Sequence, residues 1–585
     1  MGLDMDYQTP LRDMRFLIND VLDFDGHFEA IESDASRDLV DTVLEQCARF
    51  AENELFPLRA SGDKTGCSWN DGVVTTPAGF AEAYATYVQG GWPSIAGNPA
   101  FGGQGLPRSI SLWVEEIMAS ANMAWTMYGS LSRAAINAID SHGSDDLKAT
   151  FLPSLISGEW TGTMCLTEPH CGSDVGLLNT RAEPHADGSY RISGTKIFIS
   201  SGDHDLADNI VHLVLARLPD SPAGTKGISL FVVPKLLDGA LNGVVCGAIE
   251  DKMGIHGNAT CMLHFEDSCG YLVGQANDGM RCMFTMMNEA RILVGTQGVC
   301  LMELGYQASL QYATERLQMR AASGPKSPDQ PADPILVHPD VRRMLLTQKA
   351  FLEGGRVMTY FAAQLSDIAH RGSGDDRASA ERLLDLMTPI VKGFVTETAF
   401  EAVNHALQIH GGHGFIRETG VEQLVRDARI TLIYEGTTQI QALDLLGRKV
   451  VMNQGKALTS FIEMIRAEAD LQSDGPFASA LRELADQWGE LALGLGGKAM
   501  EDVDEIGAAS VDFLMYSGYA TMAYFWARIA RVAGAHEDDA FMRGKVKTAQ
   551  FFFDRILPRA NAHHRAALSG ADSLMDVSAN EFGHH

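Results

Sequence analysis

The run Leu432-Ile433-Tyr434-Glu435-Gly436-Thr437-Thr438-Gln439-Ile440-Gln441 sets one carboxylate among apolar neighbours, just ahead of a Gly-Thr turn. A carboxylate withdrawn from water is a stronger base, so Glu435 reads as a buried general base. The plainer reading is a surface glutamate or a helix N-cap partner, because Gly436-Thr437 can open a helix. A second segment, Met164-Cys165-Leu166-Thr167-Glu168-Pro169-His170-Cys171-Gly172-Ser173-Asp174, combines a Pro/Gly turn with a capping Ser-Asp pair. A third, Gln408-Ile409-His410-Gly411-Gly412-His413-Gly414-Phe415, offers an amide and glycines that let backbone come close to an anionic group; a simple helix stop fits it equally. His410 and His413 lack a nearby third ligand, and no metal is expected. The nine cysteines are odd in number and form no CxxC pair, which fits free thiols in a reducing compartment; Cys165 and Cys171 read as small packing residues.

These segments need a scaffold, and its texture changes along the chain. Leu39 to Ala51, Trp113 to Met127 and Asp145 to Ile156 have helical periodicity. From Trp160 the pattern turns to short β-rich runs: Tyr190–Gly194, Lys196–Ser200, Ile210–Ala216, Ile228–Pro234 and Ala259–Phe265. Long helices are predicted from Gly279 to near Gln318, from His338 to Arg371, from Asp376 to His410, and from Thr437 to Met452. Between the first two, Ala321 to Pro334 is a proline-rich surface loop. The boundaries this suggests are an N-terminal extension (1–35), an α domain (36–159), a β domain (160–275), a second α domain carrying Glu435 (276–452) and a helical C-terminal extension (453–585).

With 585 residues the chain is too long for one core. Its net charge of −29 is against general nucleic-acid binding, which needs clustered Lys and Arg. Residues 536 to 585 open with His536-Glu537-Asp538-Asp539 and mix both signs instead of forming a basic face. The acidic start Met1-Gly2-Leu3-Asp4-Met5-Asp6 lacks the features of a signal peptide, so a cytoplasmic location is expected. The most apolar stretch, Phe513 to Ala527, is shorter than the roughly 18 residues a bilayer span requires and is predicted to be a buried helix; no integral membrane contact is expected.

Together and in this order, the Tyr-Glu-Gly-Thr run, the Leu-Thr-Glu-Pro turn and the Gln-x-x-Gly-Gly-x-Gly stretch resemble the acyl-CoA dehydrogenase family. The resemblance implies an α+β fold with an N-terminal α domain, a middle β domain and a C-terminal four-helix α domain, here with the extra helical extension of the larger members. It implies noncovalent FAD and a CoA thioester: Glu435 takes the α-proton, the flavin takes the β-hydride, and the Glu435 backbone N–H with a ribityl hydroxyl polarises the carbonyl. FAD contacts are implied at Leu166, Thr167, Ser173, Phe198, Ser200, Arg316, Gln408, Gly412, Thr437 and Gln439. Substrate contacts are implied at Ser173, Asn288, Arg291, Tyr434 and Gly436. Arg316, 25 residues after Arg291 (316 − 291) and expected on the same helix, would reach FAD across a dimer interface, as would Gln408. A homodimer or larger homo-oligomer and an electron-transfer flavoprotein as acceptor follow from the same likeness.

Three departures stand out. Phe198 and Ser200 replace a tryptophan and a threonine, Gln318-Met319-Arg320 replaces Gln-Phe-Gly, and His256 replaces an arginine in Lys252-Met253-Gly254-Ile255-His256-Gly257. The N-terminal Tyr7 to Leu22 segment, the loop Gly324 to Pro334 before His338, and the C-terminal extension look like the family members of dimethylsulfoniopropionate catabolism. Their substrate is 3-methylmercaptopropionyl-CoA and their product 3-methylthioacryloyl-CoA; the sulfur on the β-carbon would support charge as hydride leaves. The alternatives are a short- or medium-chain fatty acyl-CoA dehydrogenase, an acyl-CoA oxidase, or a nucleic-acid-binding relative.

Overall fold

The computed structural model describes residues 5–472, 475–536 and 538–583. Met1 to Asp4 of the acidic start and Glu537 of the acidic C-terminal run lie outside the described residues. The chain divides into two compact units, one of residues 7–9 and 33–293 and the other of 5–6, 10–32 and 294–583.

The first unit opens with helices and continues into a sheet. Helix α1 (Arg37–Phe50) starts at Ser36, whose hydroxyl accepts from the Leu39 N–H, and buries Val40, Leu44 and Cys47 at helical spacing. Helix α2 (Arg108–His142) is broken at Asn122, which is extended (φ −156°, ψ 87°). The Asn122 side chain accepts from the Trp125 N–H at 3.2 Å and donates to the Leu55 carbonyl, so it caps the second half. The apolar periodicity runs through this break and conceals it. Helix α3 (Asp145–Ser157) begins at a Ser144 cap.

The strands of the main sheet are β1 (Trp160–Cys165), β2 (Arg181–Pro184), β3 (Tyr190–Ser200), β4 (Asn209–Arg217), β5 (Ile228–Pro234), β6 (Val244–Ile249) and β7 (Thr260–Val273). They form one seven-stranded sheet in the order β6-β7-β3-β2-β4-β1, with β5 pairing both β7 and β4, so the pairings close a ring. Strand β5 and all of β4 but Arg217 are buried throughout, as their unbroken apolar runs require. The two runs read as separate strands, Tyr190–Gly194 and Lys196–Ser200, are one strand. Bulges where β3 pairs with β7 let it bend without ending.

The second unit is helical. Helix α4 (Gly279–Glu315) carries the chain into it, and α5 (Pro339–Arg371), α6 (Gly374–His410), α7 (Val421–Thr431) and α8 (Thr438–Leu443) follow. A π-helical stretch, Asp444–Met452, continues α8. The extension supplies α9 (Lys456–Gln472), α10 (Ala478–Glu501), α11 (Asp504–Gly534) and α12 (Ala540–Phe551). The apolar run Phe513 to Ala527 lies inside α11 and is mostly buried, and no described helix is long and apolar enough to cross a membrane. Trp526 of α11 donates to the Ala350 carbonyl of α5 at 3.1 Å. Asp13 accepts from Arg356 of α5 and Lys545 of α12. Burial works to raise the Asp13 carboxyl, and the two cations overcome it and hold it well below the usual range. The loop between α4 and α5 is organised by buried Asp333, which accepts from the N–H groups of Ala321, Lys326 and Ser327 and is held down at about 2.

Candidate active site

Glu435 sits where α7 has ended and α8 has not begun. The Ile433 and Tyr434 N–H groups both close on the Ile430 carbonyl, Gly436 turns the chain at φ 72°, and extended Thr437 enters α8. Four side chains stake this turn. Lys392 of α6, fully buried, donates to the Tyr434 carbonyl at 3.4 Å. The Tyr434 hydroxyl donates to Gln297 of α4. Gln441 donates to the Gly436 carbonyl at 3.1 Å, and Thr438 to Glu397 of α6 at 2.7 Å. Burial pushes the Tyr434 phenol up, so it stays a neutral donor.

Glu435 itself is half-exposed, not buried as its neighbours led us to expect. Leu432 turns into the core at 8% exposure, while Ile433 turns outward at 47%. The apolar residues before Glu435 therefore do not fold over it. The Gln439 amide donates to Ser510 of α11 at 3.3 Å, so the extension meets a residue expected at the cofactor.

In the other unit, Leu166-Thr167-Glu168-Pro169 follows β1, beside β3. Lys196 of β3 is fully buried and donates to the Leu166 carbonyl and to Glu168, both at 2.9 Å. The Ile197 N–H donates to the Thr167 carbonyl at 2.9 Å. Glu168 also accepts from the Asn179 and Thr180 N–H groups and the Thr180 hydroxyl, so its carboxylate latches the far end of the loop. Burial raises Glu168, but Lys196 and these donors leave it lowered; burial lowers Lys196 against the pull of Glu168. Glu168, His170 and Cys171 bring ligand-type atoms within 4.8 Å of one another. With the Glu168 oxygens committed to backbone and His170 on the Leu177 carbonyl, the cluster is a loop latch, not a metal cage.

Leu166 is buried, Thr167 half-exposed and Ser173 exposed. Phe198 holds a left-handed backbone (φ 58°) and a ring 59% exposed, while Ser200 is half-buried. Asn288 is half-buried and Arg291 buried. Helix α4 stops at Glu315, so Arg316 lies one residue past its end, exposed, not on the helix as predicted. Gln408 and Gly412 are also exposed, and a Cβ added at Gly412 would meet open space. Gly414, by contrast, packs on the Leu407 carbonyl, so that part of the glycine run is a helix stop. His256 bonds the Asp63 and Lys252 carbonyls at 3.0 and 2.6 Å, tying its loop to the N-terminal helices. Met319 takes a positive φ and is 70% exposed.

Lys392, Gln297, Glu397 and Ser510 were not singled out from the sequence. Only Lys392 left a signal there, a cation inside the apolar run Ile390-Val391-Lys392-Gly393-Phe394.

The donor set suits a flavin dinucleotide. An exposed aromatic ring and a free-edged hydroxyl loop in the first unit match a planar isoalloxazine. In the second, the exposed Arg316 guanidinium has the charge and planar shape that pair with a diphosphate.

The fold and both loops define an acyl-CoA dehydrogenase, and the comparisons agree. Family models match in order: acyl-CoA dehydrogenase N-terminal domain (39–159), middle domain (163–268) and C-terminal domain (277–450), then an acetyl-CoA dehydrogenase C-terminal-like region (459–578). The chain belongs to the acyl-CoA dehydrogenase family, an oxidoreductase acting on acyl-CoA; members of this family are FAD-dependent. It is 42% identical to 3-methylmercaptopropionyl-CoA dehydrogenase of Ruegeria pomeroyi, over 98% of this chain and 100% of that one. It is 36% identical to the broad-specificity linear acyl-CoA dehydrogenase FadE5 of Mycobacterium tuberculosis, over 98% and 100%. The crystal structure of an acyl-CoA dehydrogenase complexed with FAD from Bacillus anthracis superposes with a TM-score of 0.75 at 22% identity, over 92% of this chain and 88% of that one.

Proposed function

We propose that the chain binds FAD and oxidises 3-methylmercaptopropionyl-CoA to 3-methylthioacryloyl-CoA. The reaction removes a proton from the α-carbon and a hydride from the β-carbon and leaves a double bond between them. Bound FAD supplies the hydride acceptor. Glu435 takes the α-proton on its carboxylate. The observation carrying this role is the staked turn: backbone at Tyr434 and Gly436 and the hydroxyl of Thr438 are all held around half-exposed Glu435. A base must be held at a fixed height over the carbon it deprotonates. Thr167, Ser173, Phe198 and Ser200 would hold the flavin, while Asn288 and Arg291 would face the thioester. The identity to the Ruegeria pomeroyi enzyme over both full lengths supports the substrate. Arg316, Gln408 and Gly412 are exposed as they would be if they served the cofactor of a second copy, which makes a homodimer the working unit. An electron-transfer flavoprotein would then reoxidise the flavin.

The test is anaerobic bleaching of the flavin band in FAD-loaded protein by a panel of thioesters. Bleaching should be fastest with 3-methylmercaptopropionyl-CoA. Faster bleaching by butyryl-CoA would move the substrate to straight short chains, and no bleaching by any thioester would overturn the reading.

A further inference from the structure

Helix α6 carries an ammonium where a hydrocarbon would be expected. Ile390, Val391, Phe394 and Val395 around Lys392 are fully buried, and so is Lys392. The packing leaves it little room to swing. A Cβ on neighbouring Gly393 would come within 2.5 Å of the Leu514 side chain of α11 and 3.4 Å of Gln441 of α8. A methionine would fill such a place without the penalty of withdrawing a charge from water.

The ammonium lies 3.4 Å from the Tyr434 carbonyl oxygen. That is long for a hydrogen bond, so most of the pull is that of a charge on a dipole, which a water-poor interior screens weakly. The Tyr434 carbonyl and the Glu435 N–H are the two ends of one peptide group. No peptide bond among the described residues is cis, and a trans peptide directs its two ends oppositely. The Glu435 N–H is therefore aimed away from Lys392. Backbone bonds on either side fix this direction: the Tyr434 N–H closes on the Ile430 carbonyl at 3.0 Å and the Thr438 N–H on the Leu432 carbonyl at 3.3 Å. All of these groups belong to the second unit.

We propose that Lys392 is a positioning residue for the oxidation: its charge polarises the Tyr434–Glu435 peptide and makes the Glu435 N–H a stronger donor to the thioester oxygen. This rests on the dehydrogenase reading above, in which that N–H meets the carbonyl where charge develops as the α-proton leaves. Drawing electron density toward one end of a peptide strengthens the hydrogen bond at the other, by about 10–30% per bond in a chain. The oxygen is more negative in the transition state than in the bound thioester, so rate should respond more than affinity.

The test is the infrared carbonyl stretch of 3-methylmercaptopropionyl-CoA, labelled with carbon-13 at its carbonyl, bound to the FAD-loaded full chain. A Glu435→Gln background keeps the peptide in place and stops turnover. Binding should lower the stretch relative to the free thioester. Lys392→Met, which keeps an unbranched stem and removes the charge, should take away about half of that lowering. Gln441→Met controls for simple loosening, because Gln441 holds the next carbonyl, that of Gly436, and its loss should leave the stretch nearly unchanged. An unmoved stretch in Lys392→Met, or an equal loss in both variants, would overturn the proposal. With Glu435 restored, Lys392→Met should slow single-turnover flavin reduction about tenfold, less than removal of a whole oxyanion donor. Thioester affinity should change by about threefold or less, and a loss confined to affinity would count against the role. If Lys392→Met does not retain flavin, Lys392→Gln decides. It can still donate but carries no charge, so its stretch should fall between the two, and a stretch equal to that with lysine would overturn the role of the charge. Parent protein whose flavin no thioester bleaches would instead overturn the dehydrogenase reading.

Discussion

Two glutamates stand in turns of similar appearance, and the chain treats them in opposite ways. Glu168, in Leu-Thr-Glu-Pro, is 3% exposed, paired with buried Lys196 and fixed by three further donors from Asn179 and Thr180. Glu435, in Tyr-Glu-Gly-Thr, is half-exposed, in a turn whose backbone and flanking side chains are held by Lys392, Gln297, Gln441 and Glu397. One carboxylate is spent on holding a loop. The other is presented by a loop that its neighbours hold. A buried, fully bonded carboxylate has no lone pair to give a substrate proton, so the proposed function assigns the base to the more exposed glutamate. Desolvation of Glu435 must then come from what binds over it, not from the apolar residues that precede it.

The largest effect expected is on rate. Glu435→Gln preserves size and the staked turn but cannot accept the α-proton. Anaerobic single-turnover flavin reduction should slow by about two to four orders of magnitude. Flavin content and thioester affinity should hardly change, because the lost interaction is needed only in the chemical step. Near-normal reduction by this variant would erase the contrast between the two carboxylates.

Next comes stability. Glu168→Gln leaves the Lys196 ammonium buried without its counter-charge, and breaking a buried pair from one side costs about 3–5 kcal/mol. The variant should melt earlier and lose flavin, as the loop from Leu166 loosens, with rate constants falling only as flavin falls. The sign with pH follows from the lowered carboxyl. Glu168 contributes stability that is complete above its ordinary value near 4.5 and is lost as pH drops through its lower folded value. The melting temperatures of parent and variant should therefore converge in acid. A variant with full flavin and a parent-like melting curve at neutral pH would show that the latch is not what holds the loop.

What could be read beforehand divides along the same line. Strands β4 and β5 and helices α5 and α6 were legible because burial imposes periodicity on residue type over many positions. The candidate site residues were proposed from short local patterns such as Tyr-Glu-Gly-Thr. The break at Asn122 was hidden, since an asparagine that caps a new helix also fits inside a continuous apolar pattern. The exposure of Glu435 was hidden too, because Leu432 and Ile433 are equally apolar in composition and part company only when α7 ends. Lys392, Gln297 and Ser510 lie 43, 138 and 75 residues from Glu435 in the chain (435 − 392, 435 − 297, 510 − 435). Contacts that remote are set by tertiary packing, and no window along the sequence contains both partners.

The smallest effect would sharpen the contrast at the edge of the catalytic turn. Gln439 was expected at the cofactor, yet its amide donates to Ser510 of the extension at 3.3 Å. A partly exposed hydrogen bond between neutral side chains is worth about 1 kcal/mol, so Ser510→Ala should slow flavin reduction by a factor of about five or less. If the bond braces the turn, Gln439→Ala should match it, and the double variant should be no slower than either single one, because both changes remove the same interaction. If Gln439 serves FAD instead, Gln439→Ala should weaken flavin binding while Ser510→Ala does not, and the two losses should add. Flavin titration of the three variants, alongside the rates, separates the outcomes. Additive losses with weakened flavin binding in the glutamine variant would return Gln439 to the cofactor and leave the extension without a hydrogen-bonding part in holding the turn.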